Sequence, residues 1–190
     1  NPEDADTGSH AVEAFKFTDG TVINYRQLVQ NTFIVQGDFG DDTLTGTNLT
    51  DRLYGYEGFD KLEGRGGNDT LTGGTGNDEL IGGAGSDTYV FNLGDGVDTI
   101  QDIAASEIGN LILFGEGITR DDLRTHLDGA TLTIEYGGGG DAIRLENFDY
   151  NAINGSHVID TIEFADGSQV RLTSLVDSGK EGDEHHWHIL

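Results

Sequence analysis

Large apolar residues recur at every ninth position through the first half of this chain, at Leu44, Leu53, Leu62, Leu71, Leu80 and Tyr89, with glycine-rich polar sequence between them. Neither a helix nor an ordinary amphipathic strand has that period. From Gly37 to Val90 the stretch divides without gaps into six nonapeptides, GDFGDDTLT, GTNLTDRLY, GYEGFDKLE, GRGGNDTLT, GGTGNDELI and GGAGSDTYV. Each opens on Gly and carries Asp at its sixth position: Asp42, Asp51, Asp60, Asp69, Asp78 and Asp87. The first six residues of a unit suit a turn that needs positive φ and close backbone approach, and the last three suit a short strand with one inward side chain. Two units therefore make one coil of a flattened helix. Leu44, Leu62 and Leu80 stack on one wall, and Leu53, Leu71 and Tyr89 face them from the other.

After the repeats the pattern stays mostly β. Asn110 to Phe114 reads as a buried strand, Thr119 as the N-cap of one helical turn over RDDLRTHL, and Asp128-Gly129 as a turn into the alternating strand Thr131 to Tyr136. Gly137 to Gly140 then leads into the strand DAIRLENF, with Phe148 and Tyr150 plugging the unit behind it. A β-rich cap of this kind covers the open end of the roll, where Tyr89, Val90 and Phe91 would otherwise face water.

A second repeat joins the two ends of the chain. Gly8 to Val29 aligns without gaps with Gly155 to Val176, at an offset of 147 residues. Both copies read as strand, Asp-Gly turn (Asp19-Gly20, Asp166-Gly167), strand and short helical turn, which is a hairpin signature. The expected organisation is residues 1–34 as the tail and hairpin of a preceding block, 35–100 as the roll, 101–176 as the capping domain and 177–190 as a tail. A chain that begins NPEDADTGSH and contains no Met reads as a piece of a longer, tandem-block polypeptide.

Composition narrows the partners. Ten Lys and Arg against 35 Asp and Glu leave a formal charge of −25, which disfavours nucleic acid and anionic membrane surfaces. Such acidity alone would also fit a disordered chain, but disorder gives no reason for an apolar residue every ninth position. With no Cys there is neither a disulfide framework nor a thiolate metal site, and no apolar run is long enough for a transmembrane helix.

The charge also points to chemistry. Stacking the coils aligns Asp42, Asp60 and Asp78 in one column and Asp51, Asp69 and Asp87 in a second. Carboxylates about 5 Å apart at an effective dielectric of about 20 repel by about 3 kcal/mol per pair. A metal-free roll is therefore not expected to hold. Ca²⁺, which takes six to eight oxygens, relieves the repulsion with carboxylates and inward-facing carbonyls, whereas Mg²⁺ demands a tight octahedron that stacked carbonyls do not supply. Metal binding then becomes folding. Three turns on each side give about two ions per side, about four in all, with Asp95 and Asp98 of GDGVDTI offering an end site.

The nonapeptides, the exit DTYVFNLGDGVDTI and the series LILFGEGITRDDL, LTIEYGGGGDAIRLENF and IDTIEFADGSQVRLTSL together resemble the haemolysin-type calcium-binding (RTX) repeat and its associated following domain, over about Gly8 to Val176. The resemblance implies a right-handed parallel β-roll, export of the parent unfolded through a type I secretion machinery, and folding driven by extracellular calcium. It implies that the six repeat aspartates ligate by side chain, with turn residues completing each shell. Those turn residues are Gly37, Gly40, Gly55, Gly58, Gly64, Gly66, Gly67, Asn68, Gly73, Gly74, Thr75, Gly76, Asn77, Gly82, Gly83, Ala84 and Gly85. Two departures stand out: Leu49 occupies the place of an inner Gly, and Asp38, Thr47, Tyr56 and Arg65 replace the second Gly of the first four units.

Catalytic signatures are missing: there is no H-E-x-x-H and no G-x-S-x-G, and carboxylates recurring six times are ligands rather than an acid–base pair. His185, His186 and His188 beside Trp187 read as a tail rather than a transition-metal site, and His10 and His157 as structural residues at strand starts. The expected function is a non-enzymatic calcium-binding module of a secreted bacterial toxin or adhesin, extracellular or on the cell surface. The rival readings are a block that binds a host-cell receptor or glycan, and an accessory module of a secreted enzyme.

Overall fold

A computed structural model describes residues 14–16, 18, 20, 22–24, 32–101, 109–148 and 159–177. The chain divides into two units, residues 1–32 and 33–190. In the first, β1 (Ala14–Lys16) and β2 (Val22–Asn24) pair antiparallel as a hairpin. His10 and the helical turn expected after this hairpin lie outside the described residues, as do Tyr150, His157 and the histidine-rich tail.

The second unit is two facing sheets. The repeats alternate between them: β3 (Phe33–Gln36), β5 (Asp51–Glu57), β7 (Thr70–Thr75) and β9 (Thr88–Phe91) in one, β4 (Thr43–Thr45), β6 (Lys61–Gly66) and β8 (Glu79–Ala84) in the other. Every pairing among them is parallel and offset by two nonapeptides, so Leu44 meets Leu62 and Leu62 meets Leu80, while Val35, Leu53, Leu71 and Tyr89 form the opposing row. Two units per coil and two walls of stacked leucines are what the nine-residue period predicts. The strands of the middle units run to six residues rather than three, because the first residues of the next unit stay extended and pair with their counterparts one coil on, as Arg65 does with Gly83.

The sheets do not stop with the sixth unit. β10 (Val97–Ile100) pairs with β8, setting Ile100 on Leu80, and β11 (Asn110–Phe114) pairs with β9, setting Ile112 on Tyr89. Residues 93–101, LGDGVDTIQ, thus form a seventh repeat, displaced by the two residues Phe91 and Asn92. One sheet continues through β14 (Asp141–Leu145), β13 (Thr131–Tyr136) and β12 (Arg124–Asp128), the other through β15 (Ile159–Glu163) and β16 (Gln169–Arg171), and the short helix α1 (Leu172–Asp177) follows. The sequence boundary drawn after residue 100 carries no break in either sheet. Phe91, Phe114, Tyr136 and Phe164 fill the space between the sheets beyond the last leucines, with Phe114 and Tyr136 ring centres 5.0 Å apart.

The helix expected over RDDLRTHL shrinks to one 3-10 turn, Arg120–Asp122. Asp122 closes it by accepting from the Thr119 N–H at 2.9 Å and the Thr119 hydroxyl at 2.6 Å. The rest becomes β12, because Leu123 and Thr125 alternate inward with exposed Arg124 and His126, and that period fits pairing with β13.

Glycine is required where coils touch. Gly58, Gly76 and Gly96 lie at φ +138°, +151° and +102°, and a Cβ on Gly76 would be driven into the Gly58 carbonyl oxygen one coil away. Gly76→Ala is expected to destabilise the calcium-saturated chain by about 3 kcal/mol or more, combining backbone strain with overpacking. Gly139→Ala, where a Cβ meets only ordinary contacts, is expected to change stability by less than about 0.5 kcal/mol. Denaturant melts of the two variants check this; equal melts would contradict the stacking.

Candidate metal centre

Each Asp at a sixth position lies where a turn enters a strand, with its carboxylate between the coils. One oxygen is used in the same way along both columns. Asp60 Oδ1 accepts from the Asp42 N–H at 2.7 Å, Asp78 Oδ1 from Asp60 at 2.8 Å, and Asp98 Oδ1 from Asp78 at 2.9 Å. In the other column Asp69 Oδ1 accepts from Asp51 and Asp87 Oδ1 from Asp69, both at 2.8 Å, and Asn110 Oδ1 accepts from Asp87 at 2.8 Å. Asp98 is therefore a full member of the first column rather than an appended end ligand. The second column ends in a neutral amide.

The second oxygen is the informative one. Asp60, Asp69 and Asp78 are at most 2% exposed, and Oδ2 of each is buried without a hydrogen-bond partner; Asp51 is fully buried with Oδ1 in the same condition. An uncompensated buried carboxylate oxygen costs several kcal/mol. The Oδ2 atoms of Asp60, Asp69 and Asp78 face the glycine that opens their own unit, and at Gly55 and Gly64 a backbone carbonyl of the next coil stands beside them. A Cβ on Gly55 or Gly64 would be driven into the carboxylate of Asp60 or Asp69 and would stand 2.5 Å or 2.6 Å from the carbonyl oxygen of Gly73 or Gly82. Carboxylate and carbonyl oxygens thus converge on a space that only glycine leaves open. At Gly82 that place is taken by the Tyr89 hydroxyl, which accepts from the Gly82 N–H at 2.9 Å.

This donor set is all oxygen, anionic and backbone-rich, and it fits a large hard cation such as Ca²⁺. Among the described residues no group of three or more carboxylate or imidazole side chains is placed to hold a metal, so carbonyls must supply much of any shell. Thr75 and Ala84 accept from the N–H groups of Gly58 and Gly67 at 3.0 and 2.9 Å, and each keeps a second lone pair. Asn68 and Asn77, expected in the shells, face outward, and their side chains accept from the N–H groups of Ser86 and Val97 one coil on. A Cβ on Gly58, Gly76 or Gly85 would be driven into the backbone of the coil before, at Gly40, Gly58 or Gly67. Tyr56 and Arg65 hold φ +82° and +79°, the conformation that Gly74 and Gly83 supply in later units, so these substitutions retain the turn at a cost in strain.

The field in the columns is visible in the carboxyls themselves. Burial, opposed by the Asp78 N–H and reinforced by Asp78, Asp95 and Asp141, pushes Asp98 up to about 8. Burial likewise pushes Asp69 up to about 7, with Asp87 and Asp51 adding to it, and Asp78 up to about 6, with Asp60 and Asp95 adding. Asp60 and Asp95 are raised in the same way.

Residues 34–62, 45–80, 54–89 and 63–100 match the RTX calcium-binding nonapeptide repeat in four overlapping copies. Residues 132–173 match the haemolysin-type calcium binding protein related domain. Among solved structures, the extracellular lipase LipA from Serratia marcescens is similar over 72% of this chain at 26% identity, with a TM-score of 0.49, and the chain spans 21% of the lipase. The AlgE6R3 subunit of the Azotobacter vinelandii mannuronan C5-epimerase is similar over 70% of this chain and 82% of its own at 29% identity, also with a TM-score of 0.49. No curated protein matches the chain by sequence.

Raised carboxyl pKa values fix a pH dependence. The folded roll holds protons more tightly than the unfolded chain, so this contribution to stability is fully present below the ordinary carboxyl value of 3.8 and is lost as pH rises through about 6 to 8. In chelator, β content by circular dichroism is expected to fall between pH 4 and pH 8; with saturating Ca²⁺, which competes with protons for the same oxygens, it is expected to hold or rise over that range. Identical pH profiles with and without calcium would contradict the assignment of the columns.

Proposed function

The chain belongs to the family of RTX calcium-binding nonapeptide repeat proteins, and from that premise we propose that it is a non-catalytic module whose folding is driven by calcium after type I secretion of its parent, a toxin or adhesin that works outside the cell. The observation that carries the reading is the pair of carboxylate columns, buried and tied on one side only. Five neighbouring aspartate pairs, at about 3 kcal/mol each, oppose the roll by about 15 kcal/mol, as much as the whole stability of an ordinary domain. Ions in the gaps reverse that sign. Asp42, Asp51, Asp60, Asp69, Asp78, Asp87 and Asp98 are the side-chain ligands, with carbonyls from the glycine-rich turns, and about four or more ions are held. The chain thus stays extended where calcium is scarce, as an export channel requires, and folds where calcium is abundant, stabilising the segments joined to it.

A second reading, a block that binds a receptor or glycan, has one observation in its favour. An open groove of about 700 Å³ runs over the outer face of β12, β13 and β14. His126 and Arg144 flank Thr133 there in register, and Arg144 forms no ion pair among the described residues. Binding of the calcium-loaded chain on a glycan array, lost in Arg144→Ala, would favour it, and a blank array would count against it.

The deciding experiment is a circular dichroism titration from chelator into Ca²⁺, with a parallel Mg²⁺ series. A cooperative gain of β structure is expected with Ca²⁺ alone, with a midpoint of about 10⁻⁴ to 10⁻³ M, as for extracellular modules. Asp69→Asn is expected to raise the midpoint about tenfold and to lower the steepness. Full β structure in chelator at neutral pH would overturn the reading.

A further inference from the structure

Among the described residues, the outer faces of the repeat strands carry aromatic side chains at two places only, Tyr54 and Tyr56 of β5. The parallel register sets Tyr54 between Gln36 of β3 and Thr72 of β7, and Arg52 between Ile34 and Thr70. Tyr56 stands opposite Gly74, which has no side chain to cover it, and it is 46% exposed. The two rings are near-parallel, at 21°, with centres 6.3 Å apart. Gln36 Nε2 donates to the Tyr56 hydroxyl at 2.7 Å and so holds the ring by its far end.

Tyr56 is kept at a cost in backbone strain. Its φ is +82°, and one coil on the same place is filled by Gly74 at φ +102°. Bulky side chains rarely take that conformation. The ring does not close the core either, because the leucine walls fill it from the inner side of the sheet. An exposed aromatic pair, fixed by a hydrogen bond and left open toward β7, is a surface suited to being covered. The amide of Gln36, the guanidinium of Arg52 and the hydroxyls of Thr70 and Thr72 lie on the same face. Together these groups match a pyranose ring, whose C–H face packs on an aromatic ring while its hydroxyls bond to polar neighbours. A chain with a formal charge of −25 repels polyanions, which favours a sugar without charge. We propose that Tyr54, Tyr56, Gln36 and Arg52 form a binding platform for a neutral, pyranose-based glycan on the outer face of β3, β5 and β7.

The platform belongs to the sheet opposite the one that carries the Arg144 groove, so it is separate from that site. The two also differ in kind. The groove presents a guanidinium without an ion pair among the described residues, which suits a ligand bearing charge, whereas the platform presents aromatic faces, which suit one without.

Affinity electrophoresis tests the proposal. The full chain, folded in Ca²⁺ buffer as judged by circular dichroism, is run through native gels containing galactomannan, hydroxyethyl cellulose or laminarin as neutral probes, and polygalacturonate as a charged one. Retardation is expected with at least one neutral probe and not with polygalacturonate. Tyr56→Gly, which gives the turn the residue it carries one coil on, is expected to leave the roll folded and to weaken binding about tenfold. Gln36→Ala, which frees the ring, is expected to weaken binding about threefold. No retardation by any neutral probe overturns the proposal, and so does equal retardation of Tyr56→Gly and the unaltered chain. Retardation by polygalacturonate alone overturns it in favour of the Arg144 groove. Should Tyr56→Gly fail to fold, unchanged binding by Gln36→Ala overturns it instead.

Discussion

Repulsion between aspartates stacked one strand spacing apart governs everything else in this molecule. The nine-residue period places a carboxylate at the same point of every half-coil, and from Asp60 onward the parallel register leaves it no way to turn aside, because its Oδ1 is tied to the N–H of the coil before. The same period places a leucine two residues later, which fills the space between the walls. Attraction and repulsion thus come from one repeat and cannot be separated. A wall of leucines one residue deep per strand is a thin core set against two columns of buried charge. The balance is handed to whatever neutralises the columns, either protons or a divalent cation.

Glycine makes that control possible. Ordinary turns have room for a side chain, but here the glycine opening each unit lies against the carboxylate of its own unit and, through most of the roll, a carbonyl of the next coil. A second row, Gly58, Gly76 and Gly96, brings backbone against backbone. The first row forms the oxygen-lined gap and the second sets its width. Arg65 and Tyr56 show the limit of tolerance: their side chains leave the gap and point outward, but the backbone keeps the left-handed conformation of the glycines they replace.

Much of this was legible in the sequence because strict periodicity overrides local ambiguity. Six units in phase fixed the leucine walls, the aspartate columns and the alternation between sheets, and Asp-Gly located both hairpins. What escaped did so where the phase was interrupted. The two residues Phe91 and Asn92 shift the seventh unit, so G-D-G-V-D-T-I read as an isolated acidic segment, although Gly94, Gly96, Asp98 and Ile100 keep the repeat's internal spacing. Asn110 gave no signal because an amide breaks the Asp pattern while making the same hydrogen bond. Asp141, whose charge acts on Asp98, was beyond reach in principle: only the pairing of β14 with β10, strands far apart in sequence, sets it beside Asp98.

Stability along the roll is therefore graded rather than uniform. At the end nearest β3 and β4 the core is Val35 and Leu44, the latter 8% exposed, and the outermost strands are short. At the other end Leu80, Tyr89, Ile100 and Ile112 are fully buried beneath an aromatic cluster of Phe91, Phe114, Tyr136 and Phe164. Aromatic side chains bury more apolar surface per residue than leucine, so the balance against carboxylate repulsion is most favourable there. Each coil added toward β3 rests on the one before it and brings another pair of charges, and the outermost one, at Val35 and Leu44, is the least buried. In such a quasi-one-dimensional array each coil is stabilised by its own core and by its neighbours. The residues after the repeats thus do more than shield the last coil from water: they carry the thickest part of the core.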